Sequence, residues 1–277
     1  MKDKILVIGG AGYLGAVLTE RLLKEGYPVR ILDSFIYGKK AVDKYINDPG
    51  VEIIEGDIRN IETVNFSMLD TGSVILLAAV VGDPASKARP EQTVETNYLA
   101  SQVVASSAKI SGIKKFIYAS TCSVYGVGKD ELDESAPLNP VSLYARTKIS
   151  SEESIMAIAD SSFKPVIMRM STLYGYSGRM RFDLVVNTMT MSAFTEGKIT
   201  VFGGNQWRPL LSLYDAAEAY LRALEIDYHT GSPSGRIYNV GSEEQNYVIT
   251  RVAELVAEGI KQASGKEIPI EIKGDSV

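Results

Sequence analysis

The chain opens with Ile5-Leu6-Val7-Ile8-Gly9-Gly10-Ala11-Gly12-Tyr13-Leu14-Gly15. A short apolar run meets a glycine-rich turn, and after the turn Leu14, Val17, Leu18 and Leu22 recur at helical spacing. This predicts a buried strand, a tight turn and a helix over 12–25. Each glycine has its own use. Gly9 turns the chain sharply off the strand, Gly12 lets backbone approach a pyrophosphate, and Gly15 lets the helix lie close to the sheet. The helix N-terminus then offers free N–H groups and a positive dipole end to the same phosphates. The spacing is G-x-x-G-x-x-G rather than G-x-G-x-x-G, so the reading rests on the strand before it and the helix after it.

Gly26 and Pro28 close that helix, and Val29-Arg30-Ile31-Leu32 reads as a second strand ending at Asp33. A carboxylate there accepts hydrogen bonds from both ribose hydroxyls of an adenosine and repels a 2′-phosphate, which favours NAD over NADP. Val51-Glu52-Ile53-Ile54 reads as a third strand, followed by Gly56-Asp57-Ile58-Arg59. Further strands are expected over 74–78, 116–120 and 165–170, with helices over 91–110 and 141–159. This alternation is that of parallel β-α-β construction, and the fold class it implies is α/β, a Rossmann-type doubly wound parallel sheet. The last third is choppier. It reads as a helix over 184–196, short strands over 200–202 and 210–213, a helix over 216–225, a strand over 236–240 and a helix over 249–263. The organisation expected is a dinucleotide-binding domain over 1–170 and a small α/β substrate lobe over 171–277, interleaved with the core.

At 277 residues the chain can bury a substantial core. Its 45% apolar and 23% charged content is that of a soluble globular protein. The formal charge of −5, with no cluster of Lys and Arg, argues against a nucleic-acid face. The longest apolar run, 74–81, falls well short of the ~20 residues that span a bilayer. Lys2 and Lys4 before apolar residues resemble a signal peptide, but the glycine turn interrupts that run after Ile8. The one cysteine, Cys122, has no partner in the chain for a disulfide, so a reducing cytoplasm is the expected location. The one histidine, His229, is expected in a surface loop, and no metal cluster is visible.

Tyr144-Ala145-Arg146-Thr147-Lys148 is the second informative segment. Asn139-Pro140 is expected to start its helix, with Asn139 as cap. Tyr144 and Lys148 then share one helical face. A phenol titrates near ~10, and a neighbouring ammonium favours the phenolate, which brings Tyr144 closer to use as a base. A surface Tyr and Lys would show the same spacing. A hydroxyl at the end of a neighbouring strand can hold the substrate oxygen, and 116–126 ends in Ser120-Thr121-Cys122-Ser123. Turn and capping chemistry would also use such residues.

Together these segments resemble the extended short-chain dehydrogenases/reductases of the NAD-dependent epimerase/dehydratase family, which act on nucleotide sugars. The resemblance rests on Gly9-x-x-Gly12-x-x-Gly15, Asp33, Gly56-Asp57-Ile58-Arg59, Leu77-Ala78-Ala79, Asn97, Ser120-Thr121-x-Ser123-Val124-Tyr125-Gly126, Tyr144-x-x-x-Lys148 and Arg208. It implies a catalytic base at Tyr144, a pKa-lowering partner at Lys148 and a catalytic hydroxyl at Thr121. It implies NAD contacts along the glycine turn, including Tyr13 and Leu14, and at Asp33, Asp57 and Ile58. Leu77, Ala78, Ala79 and Asn97 would line the cofactor cleft, and Tyr144 and Lys148 would meet the cofactor too. Arg208 would bind the diphosphate of a nucleotide-diphosphate sugar, for which an Arg fork is suited. Ser123 is a further substrate contact. Arg181 and Asn187 are candidates for the diphosphate, against capping or surface roles. A homodimer through helices 91–110 and 141–159 is implied as well.

Within the family, 4,6-dehydratases carry Thr-Asp-Glu where this chain has Thr121-Cys122-Ser123, and neither Cys122 nor Ser123 is a carboxylate. The 3,5-epimerases carry a cysteine at the position of Ser123. On an extended segment Cys122 points the other way, as a pocket-wall or core thiol. What remains is oxidation at C4 of the sugar, as a 4-epimerase or 4-dehydrogenase. An NAD(P)H-dependent keto-sugar or small-carbonyl reductase and a non-catalytic NAD-binding regulator are the alternatives. Ser177-Gly178-Arg179-Met180-Arg181-Phe182-Asp183-Leu184-Val185-Val186-Asn187 and Val80-Val81-Gly82-Asp83-Pro84 resemble a subgroup associated with modified sugars, including 6-deoxysugars and heptoses. The family runs on to a closing amphipathic helix, whereas this sequence stops at Lys273-Gly274-Asp275-Ser276-Val277, so truncation or an abbreviated lobe is expected.

Overall fold

The apolar runs pair into a parallel sheet. In the computed structural model, which describes residues 2–127, 132–226 and 235–274, its strands are β1 (Ile5–Ile8), β2 (Val29–Asp33), β3 (Val51–Glu55), β4 (Ser73–Leu76), β5 (Lys115–Thr121), β6 (Val166–Met170) and β10 (Arg236–Val240). Their order is β10-β6-β5-β4-β1-β2-β3, and every neighbouring pair is parallel. The order reverses between β1 and β4, the place where open α/β sheets bind ligands beyond the strands' carboxyl ends. His229 and the terminal residues 275–277 lie outside the described residues.

The doubly wound sheet expected from the sequence is thus present, and its inner strands β1, β2, β4, β5 and β6 read as apolar runs because both faces are covered, while the edge strands β3 and β10 are only partly buried. One face packs under α2 (Ile61–Met68), α5 (Ser101–Ile110) and α6 (Leu143–Ala157), through Val64, Met68, Val104, Ala108 and Ile155 against Leu6, Ile8, Val74, Leu76 and Phe116. Each fully buried Leu or Ile there contributes roughly 1.5–3 kcal/mol. Helix α1 (Tyr13–Lys24) buries Leu14, Leu18 and Leu22 and ends where Gly26 turns at φ +75°. Asn60 caps α2, accepting the N–H groups of Glu62 and Thr63.

The chain divides into two compact units. The first is Met1–Met170, Ser177–Arg179 and Ala216–Val240, and includes most of α8 (Leu213–Glu225). The second is Ser171–Tyr176, Met180–Asp215 and Gly241–Val277. In the second, β7 (Thr172–Tyr174) and β11 (Asn246–Val248) flank β9 (Trp207–Ser212), while β8 (Ile199–Phe202) pairs with β12 (Ile270–Lys273). Met189 and Ala193 of α7 (Val185–Thr195) pack with Ile199 and Val201 and with Val252, Ala253 and Ile260 of α9 (Ile249–Ser264).

The structure departs from the expected elements in places. The stretch read as one helix over 91–110 is α4 (Pro90–Thr93), a π-helical segment Val94–Ala100, and α5, with α3 (Asp83–Ala88) before them. Leu213 opens α8 rather than closing a strand. Helix α6 starts at Leu143 and is capped by Ser142, whose hydroxyl accepts the N–H of Ala145 at 3.2 Å. Asn139 is not the cap. Its N–H donates to the Val124 carbonyl, and its own carbonyl packs so closely on Gly126 that a Cβ there would stand 2.0 Å away. Cys122–Tyr125 is a 3₁₀ turn, not an extended segment, so strand alternation does not set the direction of Cys122.

A buried ion pair stitches the first unit together. Glu152 of α6 and Arg169 of β6 have side chains 3% and 4% exposed and pair at 2.7 Å. Glu152 also accepts from the Ser120 hydroxyl of β5. Arg169 donates to the Tyr125 hydroxyl at 2.8 Å, which donates to Asn239 of β10 at 2.6 Å. Glu152→Leu strands the guanidinium and should cost about 3–5 kcal/mol in urea unfolding, whereas Glu152→Leu with Arg169→Met should recover most of that loss. A single variant as stable as the parent would contradict this role for the pair.

Candidate active site

At the β1 end of the sheet, backbone runs against backbone. Gly9 has φ +88°, and a Cβ on it would stand 2.7 Å from the Ala78 nitrogen. Leu77 and Ala78 both donate their N–H groups to the Ile8 carbonyl, which fixes the chain after β4 beside the glycine turn. A Cβ on Gly15 would meet the Gly9 carbonyl oxygen at 2.3 Å. Beside Gly12 only that same oxygen comes close, at 3.1 Å. Gly12 is the N-cap of α1 and brings no side-chain cap, so the helix N-terminus is built as an anion cradle. Tyr13 and Leu14 are buried in its first turn.

Asp33 ends β2 with each carboxylate oxygen on one main-chain N–H, Ala11 and Phe35, both at 2.9 Å. Burial pushes its pKa up, and those N–H groups pull it down. Two N–H donors leave lone pairs on both oxygens for further donors. Asp57 is gripped by Arg59, whose Nη2 lies 2.7 Å from Oδ2, and this holds its carboxyl below the usual range. Ile58 is buried beside it. Asn97, in the π-helical segment, is fully buried. Its amide accepts the Val80 N–H at 2.7 Å and donates to the Val80 carbonyl at 2.8 Å, so it acts as a strut under the chain that follows Leu77, Ala78 and Ala79. The Asn97 carbonyl accepts the Ser151 hydroxyl of α6 at 2.5 Å. Such π segments leave carbonyls out of the regular ladder and recur at functional sites.

The second cluster lies where α6 crosses β5. Lys148 is 2% exposed and donates from Nζ to the Ala119 carbonyl at 2.7 Å. Its Nζ stands 4.6 Å from the Tyr118 ring centre and 6.0 Å from that of Tyr144. Burial pushes the Lys148 pKa down to about 7, and the Glu152 carboxylate opposes that shift. Tyr144 is half-buried one turn earlier on the same helix. Thr121, two residues after Ala119, donates to Ser123 Oγ and accepts the Ser123 N–H, each at 3.2 Å. The structure therefore brings Tyr144, Lys148 and Thr121 to one α6–β5 junction. Cys122 is half-buried on the turn and forms no disulfide.

Three predicted residues fall in the second unit. Arg181 pairs with Asp183. Asn187 is buried, accepts the Gly175 N–H at 3.2 Å and donates to the Arg181 carbonyl at 2.9 Å, so its amide holds a local turn. Arg208 is exposed on β9 and donates to the Trp207 carbonyl at 2.9 Å. Sequence reasoning missed Glu152 and Arg169. The signals were there, since Glu152 follows Tyr144 and Lys148 at the same four-residue interval, and Arg169 stands alone in the apolar run of β6. Among the described residues no group of His, Cys, Asp and Glu is placed to hold a metal ion, and no helix is long and apolar enough to cross a membrane.

The model of the NAD dependent epimerase/dehydratase family matches residues 5–241. A UDP-glucose 4-epimerase of Lactobacillus helveticus is 28% identical over 287 residues, which covers 96% of this chain and 83% of the relative. A dTDP-D-glucose 4,6-dehydratase of Mus musculus is 29% identical over 262 residues, covering 91% and 72%. Among solved structures, a UDP-glucuronic acid 4-epimerase from Bacillus cereus, in complex with UDP-glucuronic acid and NAD, superposes with a TM-score of 0.84 at 26% identity, covering 98% of this chain and 86% of that one. With a match over that length and the glycine cradle at the switch point of the sheet, the chain belongs to the NAD dependent epimerase/dehydratase family.

Proposed function

We propose that this chain oxidises C4 of a nucleotide-diphosphate sugar with NAD, as a 4-epimerase or a 4-dehydrogenase. The observation that carries the reading is the buried Lys148, one turn after Tyr144 and held on the carbonyl of Ala119, which lies two residues before Thr121. The residues that would hold the cofactor are those at the N-terminus of α1, where Gly12 and the helix N–H groups suit its pyrophosphate, and Asp33, whose remaining lone pairs suit its adenosine ribose. Asp57 and Ile58 would flank the adenine, and Leu77, Ala78 and Ala79, propped by Asn97, would form the wall beside it. NAD, when bound, supplies the acceptor for the C4 hydride.

The residues of the chain do the rest. The Tyr144 phenolate takes the proton of the C4 hydroxyl, and the Thr121 hydroxyl, with Ser123 beside it, holds the substrate oxygen. The C4 carbon–hydrogen bond breaks as the carbonyl forms, giving a 4-keto sugar. Lys148 in its protonated form favours the Tyr144 phenolate and suits the ribose hydroxyls of the cofactor. A ketone that turns over and takes hydride back on its other face completes an epimerase; a ketone that leaves completes a dehydrogenase. Cys122 and Ser123 offer no carboxylate for the water elimination of a dehydratase. Arg208 is the proposed diphosphate contact of the second unit, which we read as the substrate lobe. Arg181 and Asn187 then serve the fold of that lobe first, given their partners. We also propose a homodimer through the helical stretches 90–110 and 143–157, where Leu99 and Val103 stand exposed one turn apart.

Tyr144→Phe tests the chemistry. Turnover should fall by at least about a hundredfold while NAD stays bound. Unaltered turnover would remove Tyr144 as the base.

Lys148 gives a second test through pH. Its pKa is about 7 in the folded chain against 10.5 unfolded. Between those values the unfolded chain binds more protons, so stability rises with pH across the window. The cost of burying Lys148 is complete at and below the lower value and gone above the upper one. Lys148→Met should therefore raise the urea midpoint at neutral pH, with the gain fading as pH climbs towards the upper value. A gain independent of pH would contradict the buried, depressed Lys148.

A further inference from the structure

The segment Ser177–Arg179 belongs to the first unit, although the chain on either side of it, Ser171–Tyr176 and Met180–Asp215, belongs to the second. Its anchors all lie at the adenosine end of the cradle. Ser177 is buried, and its hydroxyl donates to the Tyr13 carbonyl in the first turn of α1 at 2.7 Å. The Arg179 N–H donates back to that hydroxyl at 3.3 Å. Gly178 leaves room for the loop after β2, since a Cβ on it would stand 3.3 Å from the Ala41 Cα. The Arg179 guanidinium carbon sits over the Tyr37 ring, 3.8 Å from its centre.

That loop is itself held in an unusual state. Phe35 has φ +51°, a conformation that non-glycine residues adopt at a cost and that clusters at ligand clamps. Its N–H is on Asp33, and its carbonyl accepts the Gly38 N–H. Tyr37 is 62% exposed, so the Arg179–Tyr37 stack faces outward beside Asp33 rather than into the core. Burial holds the Asp33 pKa up, and the Arg179 charge, after the Phe35 and Ala11 N–H groups, offsets part of that rise. Yet Asp33 keeps its oxygens on Ala11 and Phe35, and among the described residues the two form no ion pair. A planar guanidinium fixed by stacking, next to a carboxylate it does not bind, is arranged for a phosphate.

We infer that Arg179 binds a phosphate oxygen at the adenosine end of the dinucleotide, with Ser177 and Tyr37 fixing its guanidinium. This rests on the reading that the cradle takes NAD. The phosphate is the pyrophosphate of NAD or the 2′-phosphate of NADP, and binding assays separate the two.

Calorimetric titrations of the parent chain, Arg179→Ala and Arg179→Lys with NAD, NADP and adenosine test the inference. Arg179→Ala should weaken NAD binding about tenfold and leave adenosine binding unchanged. Arg179→Lys, which keeps the charge without the planar fork, should recover part of the loss. A loss confined to NADP would also support the phosphate contact and assign it to the 2′-phosphate. Unchanged affinity for both dinucleotides would overturn the inference, as would an equal loss for adenosine, because Arg179 would then only support the loop. A parent chain that binds neither dinucleotide would overturn the NAD reading itself, which distinguishes the two failures.

Discussion

The buried pair of Glu152 and Arg169 is the interaction on which the α6–β5 junction, with Tyr144, Lys148 and Thr121, depends. Its groups are removed from water, so the arrangement is stable only with the charges paired and the remaining lone pairs and protons satisfied. Ser120, Tyr125 and Asn239 do that, and in doing so tie β5, the 3₁₀ turn and β10 to α6 and β6. Ser120 sits between Ala119, whose carbonyl holds Lys148, and Thr121. Fixing Ser120 therefore fixes both neighbours, and the same helix that supplies Glu152 supplies Tyr144 and Lys148. A polar, buried helix face is costly for stability, and the cost is concentrated where positions must be held within a few tenths of an ångström.

The cofactor end is built on a different constraint, the absence of side chains. Gly9 against Ala78 and Gly15 against Gly9 leave no volume for a Cβ, so the turn is closed by backbone alone. The N-cap residue, Gly12, adds no side-chain cap to the peptide N–H groups at the start of α1. Asn97 contributes from a distance. Its amide replaces the missing strand partner of Val80, which keeps the chain after β4 from moving away from the glycine turn.

Much of this was legible in the sequence, for physical reasons that differ by element. The inner strands are buried on both faces and read as apolar runs, so β1 and β2 fall where the sequence put them; the edge strands β3 and β10 are only partly buried, and their shorter apolar stretches, Ile53-Ile54 and Ile237-Tyr238, still mark them. The glycine turn is legible because its conformation excludes other residues. The Tyr144 helix was found through its chemistry, but its start was misplaced because Ser142 and Asn139 are equally good caps by type, and the packing of Asn139 on Gly126 decides between them. The π segment was not legible, since its extra residue is stabilised by Ser151 from a helix about fifty residues away rather than by local propensity. The three-residue strands β7 and β11 carry too few residues for a periodic signal. The segment 177–187 resembles one continuous subgroup motif in sequence, whereas Ser177–Arg179 turns towards the glycine cradle and Arg181 and Asn187 hold a turn of the second unit.

The most direct test of the account follows the sugar and the cofactor together. The purified chain is incubated with NAD and each of a panel of nucleotide-diphosphate sugars, including 6-deoxy and heptose forms, while the NADH absorbance band and the proton NMR spectrum of the sugar are recorded. The account predicts, with at least one sugar, either growth of the NADH band with a 4-keto product, which is a dehydrogenase, or inversion at C4 with no net NADH, which is an epimerase. Sugars left unchanged in every tube by a chain that holds NAD would contradict oxidation at C4.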